Sequence, residues 1–419
     1  MAPVLSVLTR NRDFRYLFLA ELVLFGADWF ALIPLVTLMQ RLTGSGLPGA
    51  LALTADTAVT ALVLPFAGTL ADRLDRKKIM IVANLAAIGA VALLFAVRSP
   101  GSAWIGPVAI GLVATAKAFS TPAAGAALPN VVDPEDLPAA NALGGSAWGT
   151  MLVIGASLGG IVSAVFSPYT CFAVTVVCLC LAAGLVWRVR RPMQSDRAGA
   201  EPAARPLRAI AEALRYIRHH PRVLSLVTVK SAVGLGNGVL AVFPVLAAVV
   251  FTVGPIGTGL LFAARGLGAL IGPLLFRRVL THPSWLLPGL SASMVLYGFA
   301  YVGVAASPWF WLALVLVAVA HMAGGGNWVM SNYALQIEVP DSLRGRVFAT
   351  DMMLATLAIS VSLLFAGALV DRIDPRALIA VCGTLTLLYG VGWRLATRRL
   401  LRGTAIPQAS VRSSTTPLI

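Results

Sequence analysis

The chain has 419 residues, of which 58% are hydrophobic and only 12% charged, with a formal net charge of +15. Soluble domains carry about 25% charged residues, so a fold of this size would lack the polar surface it needs in water. The positive charge does not indicate nucleic acid either, because Lys and Arg lie in short clusters between apolar runs instead of on one soluble face.

The N-terminal stretch MAPVLSVLTRNRDFRYLF lacks a short apolar core followed by a small-residue cleavage site. Its first apolar run is expected to stay as a helix. Apolar runs follow at 14–40, 48–70, 79–98, 103–125, 138–166 and 168–188. After a polar stretch come 222–250, 254–276, 284–305, 308–333, 346–370 and 377–394. Each has roughly the 20 residues that cross a 30 Å hydrocarbon core. Backbone polar groups in lipid must be satisfied within the segment, so these runs are helices. The reading is an all-α membrane protein of twelve transmembrane helices in two pseudo-symmetric six-helix bundles. The expected division is 1–189, a linker 190–221, a second bundle 222–400 and a tail 401–419.

Within the linker, Leu207, Ile210, Leu214 and Ile217 recur at helical spacing. They predict an amphipathic helix on the inner leaflet. The halves also repeat: ALPNVVDPEDLPAANAL and ALQIEVPDSLRGRVFA align Leu128 with Leu335, Pro134 with Pro340 and Leu137 with Leu343. Such parallel repeats place a site near mid-membrane between the halves. Most basic residues fall on the side of the two termini. Only Arg41, Arg98, Arg372 and Arg376 lie in the opposite loops, which predicts a bacterial inner-membrane protein with both termini cytoplasmic. Cys171, Cys178, Cys180 and Cys382 all sit in apolar segments and read as small core residues; no metal site or cofactor is expected.

Ionisable groups near helix centres cost about 2.5–3.5 kcal/mol each. Glu21, Asp28, Asp56, Lys117, Lys230, Arg265 and His321 are such groups, and they should face one another or a watery cavity. Glu21 and Asp28 are seven residues apart on one helix face, and Lys230 and Asn237 repeat that spacing. A carboxylate in an apolar surrounding holds a proton more readily, so Asp28 is the leading protonation site, against a purely structural role at a helix contact. Glu21 and Lys230 are expected to pair across the cavity as an inner gate. His321 belongs to the residue type that ordinarily titrates near neutrality. Arg265 either holds an anionic substrate or pairs with Asp56. Gly324, Gly325, Gly326 and Asn327 mark a flexible or close-contact point.

The loop AGTLADRLDRKKIM carries Gly68, Asp72, Arg73, Arg76 and Lys77. These match the G-x-x-x-D-R-x-x-R-[RK] loop of the major facilitator superfamily, which the chain resembles over nearly its whole length. FRYLFLAELVLFGADWF and LPAANAL are similar to the exporter branch that includes enterobactin exporters and macrolide efflux proteins. The resemblance implies that this loop latches the halves on the inner side, and that helices one, four, seven and ten line the cavity. By charge, Arg73, Arg76 and Lys77 are expected to anchor to anionic headgroups. The chain departs from the pattern at Asp75, where the family often has Gly, and at Phe276, which stands for the acid in the second half. GALVDRIDPR at 367–376 falls on the outer side and is set apart. On helix five, Gly155, Gly159 and Gly160 fit the antiporters' glycine pattern without its proline.

The leading reading is therefore a monomeric exporter of a small amphipathic molecule, such as a drug, siderophore or other metabolite, by proton antiport with alternating access. Its partners are that substrate, protons and membrane lipids, with no nucleic acid. An importer or lipid flippase on the same fold is the alternative. No nucleotide-binding loop and no cluster of catalytic residues favours an enzyme.

Overall fold

A computed structural model describes residues 2–194, 206–280 and 283–398; the tail 401–419 lies outside them. The short α1 (Ala2–Arg10) precedes α2 (Arg12–Thr43), α3 (Leu47–Arg73), α4 (Arg76–Leu93), α5 (Ile105–Val131), α6 (Leu137–Val165) and α7 (Pro168–Arg188). The linker forms α8 (Pro206–His219). Then come α9 (Pro221–Gly236), α10 (Val239–Val245), α11 (Gly254–Leu280), α12 (Pro283–Ala306), α13 (Phe310–Glu338), α14 (Asp341–Leu369) and α15 (Pro375–Thr397). Among the described residues, twelve spans are long and apolar enough to cross a membrane, with α9 and α10 forming one broken span, Pro221–Val250. They fall on the twelve apolar runs, and the fourth extends further than expected, to Val131.

Local chemistry sets the ends. The Asn11 side chain accepts from the Phe14 amide at 2.9 Å and starts α2, while Gly44, at φ 69°, ends it. Such left-handed C-caps favour glycine. Asp75 caps α4 by accepting from the Lys78 amide at 3.1 Å, which accounts for an acid at this departure from the family pattern. Asp374 caps α15 in the same way through the Ala377 amide.

The helices form two bundles with matching internal contacts. In the first, α2 packs on α6 and α7, α3 on α5, and α4 on α5 and α7; in the second, α9 packs on α14 and α15, α11 on α13, and α12 on α13 and α15. Two further pairs, α6 with α11 and α3 with α14, join the bundles. Calling the side of the N-terminus the near side, the buried apolar residues form one cluster shared by both bundles on the far side, including Trp29, Leu35, Leu240 and Phe262. On the near side each bundle has its own cluster, around Phe14 and Val131 in one and Val229 and Leu335 in the other.

The linker helix departs from expectation. Ala213 and Ile217 of α8 are buried among Val223, Leu335 and Val347, and Glu212 pairs with Arg346 at 2.7 Å. Its apolar side covers the second bundle in part, with Leu207 and Ala211 left exposed. Protein is thus a partner of this helix beyond the leaflet expected from its sequence. The cysteines also divide: Cys171 and Cys382 are buried, whereas Cys180 is exposed. In lipid the outer face is itself apolar, so an apolar side chain need not turn inward.

Where bundle helices meet, glycines admit neighbouring backbones. A Cβ on Gly383 would lie 2.8 Å from the Gly298 carbonyl oxygen, whereas one on Gly89 would meet nothing within 4 Å. Gly383→Ala is expected to lower stability by about 1–3 kcal/mol through overpacking, and Gly89→Ala to leave it unchanged or raise it by up to about 1 kcal/mol. Thermal unfolding of the purified variants in detergent checks both signs.

Candidate transport site

The mid-membrane ions of the first bundle converge. Lys117 of α5 donates to Asp28 of α2 at 2.6 Å and to Asp56 of α3 at 2.8 Å. The three side chains are 9–15% exposed. One ammonium thus holds two carboxylates from two other helices. Beside them is a cavity of about 20 Å³, lined by Asp28, Lys117, Asn84, Ser120 and Thr175 among others, with room for one water. The buried Oδ1 of Asn84 has no hydrogen-bond partner among the described residues.

The second bundle has its own pair. Lys230 of α9 donates to the Asp351 carboxylate of α14, with both side chains 1% exposed. It also donates to Asn332 Oδ1 at 2.7 Å and lies 4.9 Å from the centre of the Trp328 ring. The expected Glu21–Lys230 gate is therefore corrected. Lys230 takes a partner inside its own bundle, where no motion between bundles strips a buried charge of its counter-ion, and Glu21 has no polar partner among the described residues. Asp351, which sequence reasoning missed, lies only a few residues inside the run 346–370; a complete census of acids in that run would have found it.

His321 shares its ring nitrogen Nε2 with the Tyr301 hydroxyl at 2.7 Å and stacks edge-on against Tyr297 and Tyr301. Arg265 of α11 does not pair with Asp56, which Lys117 holds. Its guanidinium lies over the rings of Trp29 on α2 and Trp148 on α6, at 5.4 and 5.5 Å from their centroids. Asn237 bonds the Val233 carbonyl of its own helix at 2.6 Å.

The helix-five glycines sit in α6. A Cβ on Gly155 would fall 2.6 Å from the Gly26 carbonyl oxygen, and one on Gly159 3.0 Å from that of Phe30, so both admit α2. Gly160 faces the other bundle, where a Cβ would fall 2.8 Å from the Pro255 carbonyl oxygen. Gly324 and Gly325 lie against Tyr297 and Ala269, and Asn327 donates to Ser293 at 2.9 Å. That run is a packing seam.

The basic loop also differs from expectation. Arg76 donates to the carbonyls of Ala126 at 2.7 Å and Met193 at 3.0 Å, and Lys77 to that of Val189 at 2.7 Å. They bind protein carbonyls, and so correct the headgroup-anchor reading for these two residues: carbonyls in the last turns of α5 and just past the end of α7 lie within reach. The side chains of Gly68, Asp72 and Arg73 are outside the described residues.

On the far side, Asp371, in the segment set apart in the sequence, accepts from the Ser45 hydroxyl and from the Gly46 amide, the latter at 2.8 Å. A carboxylate just after α14 therefore meets the start of α3, where the helix dipole favours an anion. Further along the same helix pair, Ser360 donates to Thr57 at 2.9 Å. The two bundles are thus fastened together on the far side. The sequence signal was the DR pair itself, discounted because it lay on the side opposite the family loop.

A profile of the Major Facilitator Superfamily matches residues 17–362. The chain is 24% identical over 333 residues to macrolide efflux protein A of Streptococcus pyogenes, covering 78% of this chain and 82% of that one. It is 27% identical over 371 residues to the multidrug efflux pump Tap of Mycolicibacterium fortuitum, covering 84% and 88%. It is also 27% identical over 421 residues to the enterobactin exporter EntS of Salmonella typhi, covering 97% of each. A bacterial homologue of the human lysosomal transporter Spinster, solved in an inward-facing and unoccupied conformation, matches with a TM-score of 0.73 at 16% identity, covering 94% of this chain and 99% of that one. A POT family transporter in complex with a thioalcohol-conjugated peptide matches with a TM-score of 0.75 at 8% identity, covering 93% and 97%. At such identities the structural likeness speaks for the fold alone.

Removing one partner of a buried ion pair leaves an uncompensated charge, at a cost of about 3–5 kcal/mol. Lys230→Met and Asp351→Leu are each expected to lower stability by about that amount, and the double variant to recover most of it. Melting temperatures of the four proteins in detergent form the cycle; a double variant as weak as the singles added together would refute the pairing.

Proposed function

The chain belongs to the Major Facilitator Superfamily, and from that premise we propose that it exports a small amphipathic molecule from a bacterial cytoplasm by proton antiport with alternating access. Membership makes it a multi-pass membrane transporter, not an enzyme. Export follows the efflux pumps it is similar to. The near side is assigned to the cytoplasm from the excess of Lys and Arg there, with both termini inside and the membrane the inner one. The bundles 1–189 and 222–400 move as units about the linker 190–221, in a monomer surrounded by lipid.

The observation that carries the proton step is the binding of one Lys117 ammonium by two carboxylates, Asp28 and Asp56. With all three ionised the cluster holds one net negative charge. One proton neutralises it, and a neutral cluster costs far less inside a low-permittivity bundle. Asp28, which also lines the single-water cavity, is the carboxylate that exchanges the proton. Each elementary charge moved inward gains about 2.3 kcal/mol per 100 mV, enough to drive a substrate outward against a gradient.

The shared far-side cluster and the separate near-side ones support alternating access. That arrangement suits loading from the cytoplasm, and release outside requires the Asp371 contacts to break. Asp371→Ala is expected to raise several-fold the rate at which a cysteine at Ala50, which is pressed against Gly367, reacts with an impermeant maleimide added outside. An unchanged rate counts against the latch.

In proteoliposomes with an imposed pH gradient, the wild type is expected to move a fluorescent macrolide or dye in exchange for protons. Asp28→Asn should fall to the level of protein-free vesicles while still inserting and folding. Full proton-driven flux by that variant contradicts the assignment, and flux in the same direction as the protons replaces the exporter with an importer.

A further inference from the structure

Among the described residues, three cations lie near the middle of the membrane spans, and two of them are paired with acids. Lys117 has Asp28 and Asp56; Lys230 has Asp351. Arg265, at the middle of the span Gly254–Phe276, has no acid. Its Nε is buried without a hydrogen-bond partner, and no ion pair joins it to any described residue. Yet it cannot shed its charge, because a guanidinium stays protonated at any physiological pH.

Its surroundings reduce that cost in one direction only. Trp29 and Trp148 offer ring faces at 5.4 and 5.5 Å, and a cation over an aromatic face gains about 0.5–2 kcal/mol. This leaves the N–H groups along the edge of the guanidinium, a fork that fits two oxygens of a carboxylate, sulfonate or phosphate. The one acid whose charge reaches Arg265 is Asp56, already held by Lys117. Tyr297, Tyr301 and His321 are also within Coulombic range, and none of them carries an opposing charge.

The position is as telling as the chemistry. Arg265 belongs to α11 of the second bundle, whereas Trp29 and Trp148 belong to α2 and α6 of the first. The aromatic contacts continue across the seam, from Trp148 to Trp29 at 6.3 Å, on to Phe262 at 6.0 Å and then to Phe243 at 5.3 Å, and turn into the core, where Phe262 and Phe243 are fully buried. An unsatisfied cation therefore stands against two tryptophans of the other bundle, between the two bodies that must move during transport.

We propose that Arg265, clasped by Trp29 and Trp148, is the subsite for an anionic group on the cargo. The substrate class is then an amphipathic organic anion, not an organic cation. The inference rests on the transporter reading above but on none of its proton chemistry. The subsite exists only while the bundles are in register, so their separation would release the anion from the tryptophans and the arginine together.

The test uses three probes of nearly one shape, 2-naphthoate, 2-naphthamide and 2-naphthylmethylammonium, bound to the full chain in nanodiscs at pH 8 and measured by equilibrium dialysis. Naphthoate is expected to bind about tenfold more tightly than either of the others, as one charge-assisted hydrogen-bonded contact requires. Arg265→Gln should bring naphthoate and naphthamide within about twofold of each other, and Arg265→Lys should keep part of the preference. Equal binding of naphthoate and naphthamide, tighter binding of the ammonium, no binding of any probe to the wild type, or a preference that survives Arg265→Gln would each overturn the proposal. The wild-type ranking decides even if a variant fails to fold. No gradient enters the measurement, so its failure leaves export standing, and a failure of proton-driven flux leaves this subsite standing.

Discussion

An ion inside an apolar bundle must find its counter-ion there, and the bond of Lys117 to Asp28 and Asp56 is where this protein meets that demand most fully. Two carboxylates and one ammonium tie α2, α3 and α5 together at one depth. Pairing lowers the cost of all three charges, but the numbers do not cancel. The leftover negative charge would be cancelled by one proton, which is the basis of the proton step proposed above. On that proposal, stability and coupling come from the same three side chains.

The second bundle meets the same demand differently. Lys230 and Asp351 balance one for one and are almost completely enclosed, so that pair has no charge left to exchange. The far-side contacts are of another kind: Asp371 holds a hydroxyl and a backbone amide, neutral partners that can be let go without leaving a bare ion pair. Between the fixed pairs within bundles and the weaker ties between them, the energetics favour motion along the α3–α14 and α6–α11 seams. The glycines of α6 serve both kinds of contact, Gly155 and Gly159 against α2 of the same bundle and Gly160 against α11 of the other.

Much of this was readable beforehand because lipid is an exacting solvent. Twelve apolar runs admitted only helices, and each costly residue stood out against an apolar background, so Asp28, Asp56 and Lys117 could be singled out one by one. Their mutual contact could not be read, since positions 28, 56 and 117 meet only after three helices have packed. The same gap produced the one wrong pairing. Repeat symmetry matched Glu21 with Lys230 by position, whereas physical contact gave Lys230 to Asp351. Trp29 and Trp148 were invisible for the opposite reason: an aromatic residue in an apolar run carries no cost that would draw notice. In the basic loop the charge of Arg76 and Lys77 was read correctly, but nearby carbonyls claimed them before any headgroup could.

The central claim is that the Lys117 cluster takes up one proton in the range where the transporter works. Difference infrared spectroscopy on protein carrying ¹³C-labelled aspartate carboxyl groups measures this directly. On stepping the pH of reconstituted protein from alkaline to mildly acidic, a protonated-carboxyl stretch should appear, shift with the label, and vanish in Asp28→Asn. If no such band appears anywhere between pH 5 and 9, or if it persists unchanged without the Asp28 carboxylate, the cluster is a structural clamp and the proton travels elsewhere.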